Sequence, residues 1–228
     1  EMDASTLDVH SLGYMIQSST MKQILFDLVK DNNLIEVKDN TGYADIKFDE
    51  FNSNVILDNE KAEKADLVLT CDGKFSLLRK KYFGSRISKN YNQKALTFNI
   101  EHSNSHEGSA LEHFIPNGVF AALPLKSMNE SSIVWSEQAK IAQILQSLDK
   151  DQLIPYIYDK LGSSYGDIKV ISDIKSYPIA ASITDKYFYR NIALLGDSAH
   201  FIHPLAGQGL NQGIKDIDSI TKLVSSRH

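Results

Sequence analysis

Apolar side chains change their spacing several times along the chain, and each change predicts a different element. Met21, Ile24, Leu25 and Leu28 recur at i, i+3, i+4 and i+7, the period of a helix with one buried face. Ser18, Ser19 and Thr20 are suited to cap its start. The period then shortens: "LIEVKD", "DIKFDEF" and "NVILD" are extended runs separated by Asn and Gly turn chemistry, which predicts an antiparallel meander. "ADLVLTCDG" follows as a nearly continuous apolar strand ending in Asp72 and Gly73, the pattern of a strand covered on both faces.

Between residues 85 and 183 the rhythm is different. "KALTFNIE", "ALEHFIP", "GVFAALPL" and "SSIVW" are successive strand candidates, and helices are predicted near 137–149 and 151–161. In the first of these helices Ile141, Ile144, Leu145 and Leu148 repeat the helical spacing. The block predicts a mixed sheet with helices on one side. At "NIALLGDSAH" the buried-strand style of "ADLVLTCDG" returns. The expected class is α/β with mixed α+β character: residues 1–84 and 184–228 form one domain, and 85–183 form a second domain inserted into it. The start lacks an initiator Met at position 1, and the end, "DIDSITKLVSSRH", stops while a helical pattern is running. Truncation at one or both ends is the expectation.

Composition narrows the classes. With 228 residues and 42% hydrophobic content the chain can bury a substantial core. A net charge of -5, with no clustering of Lys and Arg among aromatics, argues against a nucleic-acid surface. One cysteine, Cys71, excludes an internal disulfide and suits a reducing compartment, so the cytoplasm is expected. No run approaches the roughly 18 apolar residues of a membrane span. At most, peripheral membrane contact is expected.

The candidate chemistry lies where two apolar strands each end in an acid beside a glycine, "TCDG" and "LGDS". Ligands of open α/β sheets collect at the carboxyl ends of strands. There an Asp can accept hydrogen bonds from ligand hydroxyls, and a Gly lets the ligand approach the backbone. Taken singly, either pair reads as an ordinary turn or helix cap; it is the glycines that follow which turn the reading toward a ligand. After the second pair, Leu210, Ile214, Ile217 and Ile220 form an apolar face, so a helix begins near Gly207 to Gly209. Its first N–H groups present about half an elementary charge to whatever lies above. Gly207 and Gly209 keep side chains away, Pro204 fixes the approach, and Gln208 and Asn211 add polar atoms. A planar group that gains negative charge suits that position.

These residues carry a resemblance. "GDSAHFIHPLAGQGLNQGI" resembles the second flavin-contacting motif of the aromatic-ring flavoprotein monooxygenases, the class of para-hydroxybenzoate hydroxylase. "ADLVLTCDGKFSLLRK" is similar to that class's Asp-Gly motif, here Asp72, Gly73, Ser76 and Arg79. "LGYMIQSSTMKQIL", "LEHFIPNGVFAALPL" and "SSIVWS" look like the ubiquinone-biosynthesis hydroxylases, the 2-polyprenylphenol hydroxylase type. The resemblance implies a partial FAD-binding, Rossmann-like domain around an inserted substrate domain. It also implies FAD and NAD(P)H as cofactors and hydroxylation of a polyprenylated phenol or quinone precursor, with other ubiquinone-biosynthesis proteins as partners.

By the same resemblance Asp197 would hold the ribityl hydroxyls, with Gly196 permitting the approach, and Asp72 and Gly73 would face the pyrophosphate. Pro204 would lie near the flavin ring, and Gly207, Gln208, Gly209, Leu210 and Asn211 would set the helix start against its pyrimidine edge. No side chain need act as a nucleophile, since the hydroxylating chemistry belongs to the cofactor. Two departures stand out: the G-x-G-x-x-G pattern of the class is missing, and Thr70 and Cys71 replace its usual Gly-Ala. A second reading is therefore a non-catalytic remnant that binds a quinone-like ligand or a partner hydroxylase.

Other features carry less. "GDS" also matches lipases with Ser198 as nucleophile, but Ser225 stands where the required downstream acid would precede His228. His200 and His203 have a spacing that could bind a metal; a loop or supporting role is the expectation. His102, His106 and His113, near Glu101, Glu107 and Glu112, are expected on a solvated face. Cys71 reads as a small packed residue, and Trp135 and Tyr177 as core aromatics or one wall of a substrate pocket.

Overall fold

The computed structural model describes residues 3–84, 86–203 and 207–226. The helical spacing near the start produces α1 (Ser18–Lys30), capped at Gln17 without a side-chain bond, so Ser18 to Thr20 lie inside the helix. Its stripe is not buried: Ile24 and Leu28 are 56% and 65% exposed.

The meander is present but shifted. β1 (Tyr43–Phe48), β2 (Ser53–Leu57) and β3 (Ala62–Ala65) form an antiparallel sheet. "LIEVKD" takes no part. The Asn32 side chain accepts the Leu34 N–H at 3.0 Å, and Asn40 is left-handed at φ 51°, so local turns hold that backbone. β3, "AEKA", has little intrinsic strand preference; the turn that returns the Leu57 N–H to Lys61 O at 2.8 Å delivers it to β2.

β4 (Val68–Thr70) and the short helix α2 (Leu77–Tyr82) come next. β5 (Arg86–His102) is 17 residues long and forms the spine of a seven-stranded sheet. β6 (Leu111–Ile115), β7 (Gly118–Pro124) and β8 (Glu130–Gln138) extend it on one side. Two helices, α3 (Ala139–Ser147) and α4 (Lys150–Leu161), then cover it. β9 (Ile168–Val170) pairs with one end of β5, and β10 (Lys175–Thr184) lies along its other side. Helix and strand are mixed as expected, and within this sheet every pairing is antiparallel. Its core joins Leu96, Phe120, Ile133 and Trp135 to Leu145 of α3 and to Leu153 and Ile157 of α4. The expected stripe of α3 is only half used, since Ile144 is 61% exposed while Ala142 and Leu145 are buried.

The last part comprises β11 (Phe188–Tyr189), β12 (Ile192–Leu194), β13 (His200–Phe201) and α5 (Gln208–Ser225). β12 lies between β11 and β4 and runs parallel to β4, with Leu194 opposite Thr70. One face of this small sheet packs with Ile46, Leu78 and Phe83. The expectation that "ADLVLTCDG" is covered on both faces fails, because Leu67 and Leu69 are 40% and 44% exposed at the sheet edge. β13 pairs with β10, which joins the small sheet's chain to the large sheet.

Candidate functional site

Because β4 and β12 run parallel and in register, the two acid-glycine pairs emerge at the same end of the sheet. Past β12, Gly196 takes φ +58° and opens a 3-10 turn through Ser198. Ser198 is fully buried, and its hydroxyl donates to Thr70 O at 2.5 Å, with Leu195 O 2.7 Å from the same oxygen. It staples the two strand ends together. The lipase reading fails on this geometry, since a sealed hydroxyl held by backbone carbonyls cannot meet a substrate; His228 lies outside the described residues.

The turn is clamped from beneath by Arg79, itself only 5% exposed on α2. Its guanidinium donates to Ser198 O at 2.7 Å, Asp197 O at 3.2 Å and Lys74 O at 2.5 Å, so one cation ties the loop after Asp72 to the loop after Gly196. With its backbone held, Asp197 is exposed.

Asp72 is more committed. It accepts the Tyr43 hydroxyl and, at 3.2 Å, the Leu77 N–H. Burial, and next the Asp72 bond, push the Tyr43 phenol up to about 12. Gly73 sits at φ +79°, where a side chain would be strained.

α5 begins at Gln208, as the apolar spacing predicts, with Gly207 left-handed at φ 61° and no side chain capping the first turn. A Cβ at Gly207 or Gly209 would meet nothing within 4 Å. Gly207, Leu210 and Asn211 are exposed, and Gln208 and Gly209 half-buried. The two glycines thus leave space beside the first turn of α5, and the helix itself reaches the turn of Asp197 at Gly213. Pro204 lies outside the described residues. The apolar face of α5 is uncovered: Leu210, Ile214 and Ile217 are each more than half exposed, at 57%, 51% and 53%.

Several expectations change. His200 pairs with Asp216 at 2.9 Å and His203 with Gln93 at 3.3 Å, so the two histidines take separate partners and do not converge on a metal. Burial lowers the His203 pKa. Cys71 is exposed rather than packed; partial desolvation, then the carboxylates of Asp72 and Asp216, push its thiol pKa up, away from a reactive thiolate. His102 and His106 are buried, at 2% and 6% exposure, not solvated. Loop carbonyls of Asn104 and Ser127 turn inward to meet their rings at 2.6 and 3.0 Å. His113 is exposed as expected. Trp135 is a core residue against Phe120, with ring centroids 5.4 Å apart, whereas Tyr177 is 53% exposed. Tyr43 and Asp216 were not among the sequence candidates. The one available signal for Asp216 is its position seven residues after Gly209 and three after Gly213, on one face of α5.

The FAD binding domain family matches residues 3–225. The chain belongs to this FAD-binding family. FAD is the cofactor that membership brings, and NAD(P)H is typical of the family. The chain is 29% identical over 206 residues to the ubiquinone hydroxylase UbiL of Rhodospirillum rubrum, covering 90% of this chain and 48% of that protein. It is 28% identical over 226 residues to the 3-demethoxyubiquinol 3-hydroxylase of Escherichia coli, covering 99% and 57%. The fold matches a probable FAD-dependent monooxygenase of Pseudomonas aeruginosa, pqsL, with a TM-score of 0.71 at 19% identity, over 89% of this chain and 58% of that one. It also matches the p-nitrophenol 4-monooxygenase PnpA of Pseudomonas putida, with a TM-score of 0.70 at 16% identity, over 91% and 53%. The family is the one the flavin-contacting motifs resemble, with ubiquinone-biosynthesis hydroxylases among its relatives. The chain spans about half the length of these relatives, 48% and 57% in the two sequence matches. No described helix is long and apolar enough to cross a membrane.

Proposed function

We propose that this chain forms the flavin-contacting and substrate-covering part of a FAD- and NAD(P)H-dependent monooxygenase that hydroxylates a polyprenylated phenol on the way to ubiquinone. The observation that carries it is the exposed Asp197 on a turn that packs against α5, a helix whose start is lined by Gly207 and Gly209. The residues fit a flavin: the positions where a side chain would obstruct a ring are Gly207 and Gly209, and a Cβ at either meets open space.

In this reading Asp197 accepts from the ribityl hydroxyls, and Gly196 brings the backbone close to them. The amides of Gln208, Gly209, Leu210 and Asn211 face the pyrimidine edge, with Gly207 shaping the approach. The positive end of the helix dipole favours negative charge there. Asp72 and Gly73 lie on the pyrophosphate side; since Asp72 already accepts from Tyr43 and Leu77, its part is to order that loop. When bound, FAD supplies the redox and oxygen chemistry, and the chain orients and shields it. Residues 85–183 form the substrate layer, and 1–84 with 184–228 the flavin layer. A lipid-tailed substrate would bring the protein to a membrane surface in the cytoplasm, among other enzymes of the same route.

A second reading, a non-catalytic module that binds a quinone-like ligand or a partner hydroxylase, is favoured by the exposed apolar stripes of α1 and α5. One experiment separates them: purify the chain, record its visible spectrum, titrate FAD, and follow oxidation of reduced nicotinamide. Flavin absorbance and FAD-dependent oxidation are expected. A colourless protein that ignores FAD refutes the flavin reading.

A further inference from the structure

The carboxylate of Asp216 stands in the third turn of α5, yet its two partners lie on other elements. Its Oδ2 accepts the Gly196 N–H at 2.8 Å and meets the His200 ring Nε2 at 2.9 Å. Gly196 opens the turn that carries Asp197, and His200 begins β13. The carboxylate and the imidazole are largely shielded, with 26% and 16% of their side chains exposed. One turn before Asp216, a Cβ on Gly213 would stand 3.5 Å from the Gly196 Cα, so helix and turn touch backbone to backbone at this point. Tyr187 meets the His200 ring edge-on, with centroids 6.0 Å apart.

We propose that Asp216 is a positioning residue, a clasp that sets the start of α5 against the turn bearing Asp197. The proposal rests on the flavin reading, because that is the geometry it fixes. One carboxylate oxygen joins three elements: the turn, β13 and α5. Asp216 lies eight residues into the helix from Gln208, about 12 Å along its axis at 1.5 Å per residue. Over that arm a tilt of about 5° at the clasp moves the first-turn amides by about 1 Å, enough to spoil hydrogen bonds whose useful range is only a few tenths of an ångström. Gly196, pinned through its amide, in turn holds Asp197 in place.

Two substitutions separate geometry from charge. Asp216→Asn keeps the shape and an acceptor oxygen for the Gly196 amide but loses the charge. Asp216→Glu keeps the charge but lengthens the arm by one methylene, so both bonds cannot form without shifting the helix. Two readouts are taken on wild type and both variants: exchange of the Gly196 amide hydrogen in the flavin-free protein, and the FAD dissociation constant by fluorescence titration. For the Glu variant, Gly196 exchange should quicken about tenfold and FAD binding weaken about tenfold. The Asn variant should stay within about threefold of wild type in both. The reverse order, or a Glu variant indistinguishable from wild type in Gly196 exchange, overturns the clasp. A wild type that takes up no FAD while the Glu variant still shows faster Gly196 exchange supports the clasp and refutes the flavin reading alone.

Discussion

Replacing Arg79 by Met should unclamp the site from below, and the cost can be worked from its bonds. The guanidinium serves three backbone carbonyls, at 2.5, 2.7 and 3.2 Å, from a position only 5% exposed. Hydrogen bonds to a charged group contribute about 1.5–3 kcal/mol each. The longest of the three counts for least, so the gross loss is about 4–6 kcal/mol. Against this, a buried cation carries a desolvation cost that its removal returns, and a Met side chain fills much of the same volume. The net destabilisation is expected at about 2–4 kcal/mol.

Arg79→Lys sharpens the test. An ammonium keeps the charge but lacks the planar fork that reaches several carbonyls at once, so it should recover only about 1 kcal/mol. Urea unfolding of the three proteins measures this, provided the slope of free energy against urea stays constant. The same variants should bind FAD more weakly, since the loops of Lys74 and Asp197 are no longer tied together. A Met variant within about 0.5 kcal/mol of wild type refutes the clamp, as does a Lys variant equal to wild type.

Asp197→Ala should leave urea stability within about 0.5 kcal/mol, because the carboxylate is exposed. It should also weaken FAD binding about tenfold or more by fluorescence titration. Gly118→Ala places a methyl 2.4 Å from Ser136 O at a residue with φ +153°, and should cost about 2–4 kcal/mol in the same urea assay. Phe120→Ala empties a fully buried site beside Trp135 and should cost about 3–5 kcal/mol, read by thermal unfolding. The Tyr43 phenol, pushed up to about 12 on folding, lends stability that is whole below its unfolded pKa of about 10 and is lost as pH climbs through 12. After discounting for solvent screening, wild type should lose about 1 kcal/mol more than Tyr43→Phe across that window, measured by urea unfolding at both ends.

What could be read from the sequence was local. The start of α5 at Gln208 and the strand and turn that carry Asp197 follow from the order of apolar, acidic and glycine residues within some twenty positions, whereas β13 between them does not. Periodicity gave the helix of α1 but not its burial, since Ile24 and Leu28 form the stripe of a covered face and yet stand open. "LIEVKD" has the composition of a strand, yet turns at Asn32 and Asn40 bracket it and the residues between them join no sheet. His102 and His106 look like surface residues until the loop carbonyls that receive their rings are in place.

The parts of the site split along the same line. The groups that face the proposed flavin, Asp197 and the amides after Gly207, sit in one segment and announce themselves by composition. Of the groups that hold them, Arg79 alone stands in a motif, and even there the sequence does not say what it reaches. Arg79 reaches Ser198 across 119 positions, Tyr43 reaches Asp72 across 29, and Asp216 reaches Gly196 across 20. None of these pairs obeys a helical or strand period; the first depends on β4 and β12 running side by side, and the last on α5 folding back over the turn after β12. A motif therefore reports the atoms presented to a ligand, whereas the precision with which they are presented is a property of the whole fold. Substitutions that spare the atoms presented to the ligand, Arg79→Met or Asp216→Glu, should accordingly weaken the flavin site by loosening it.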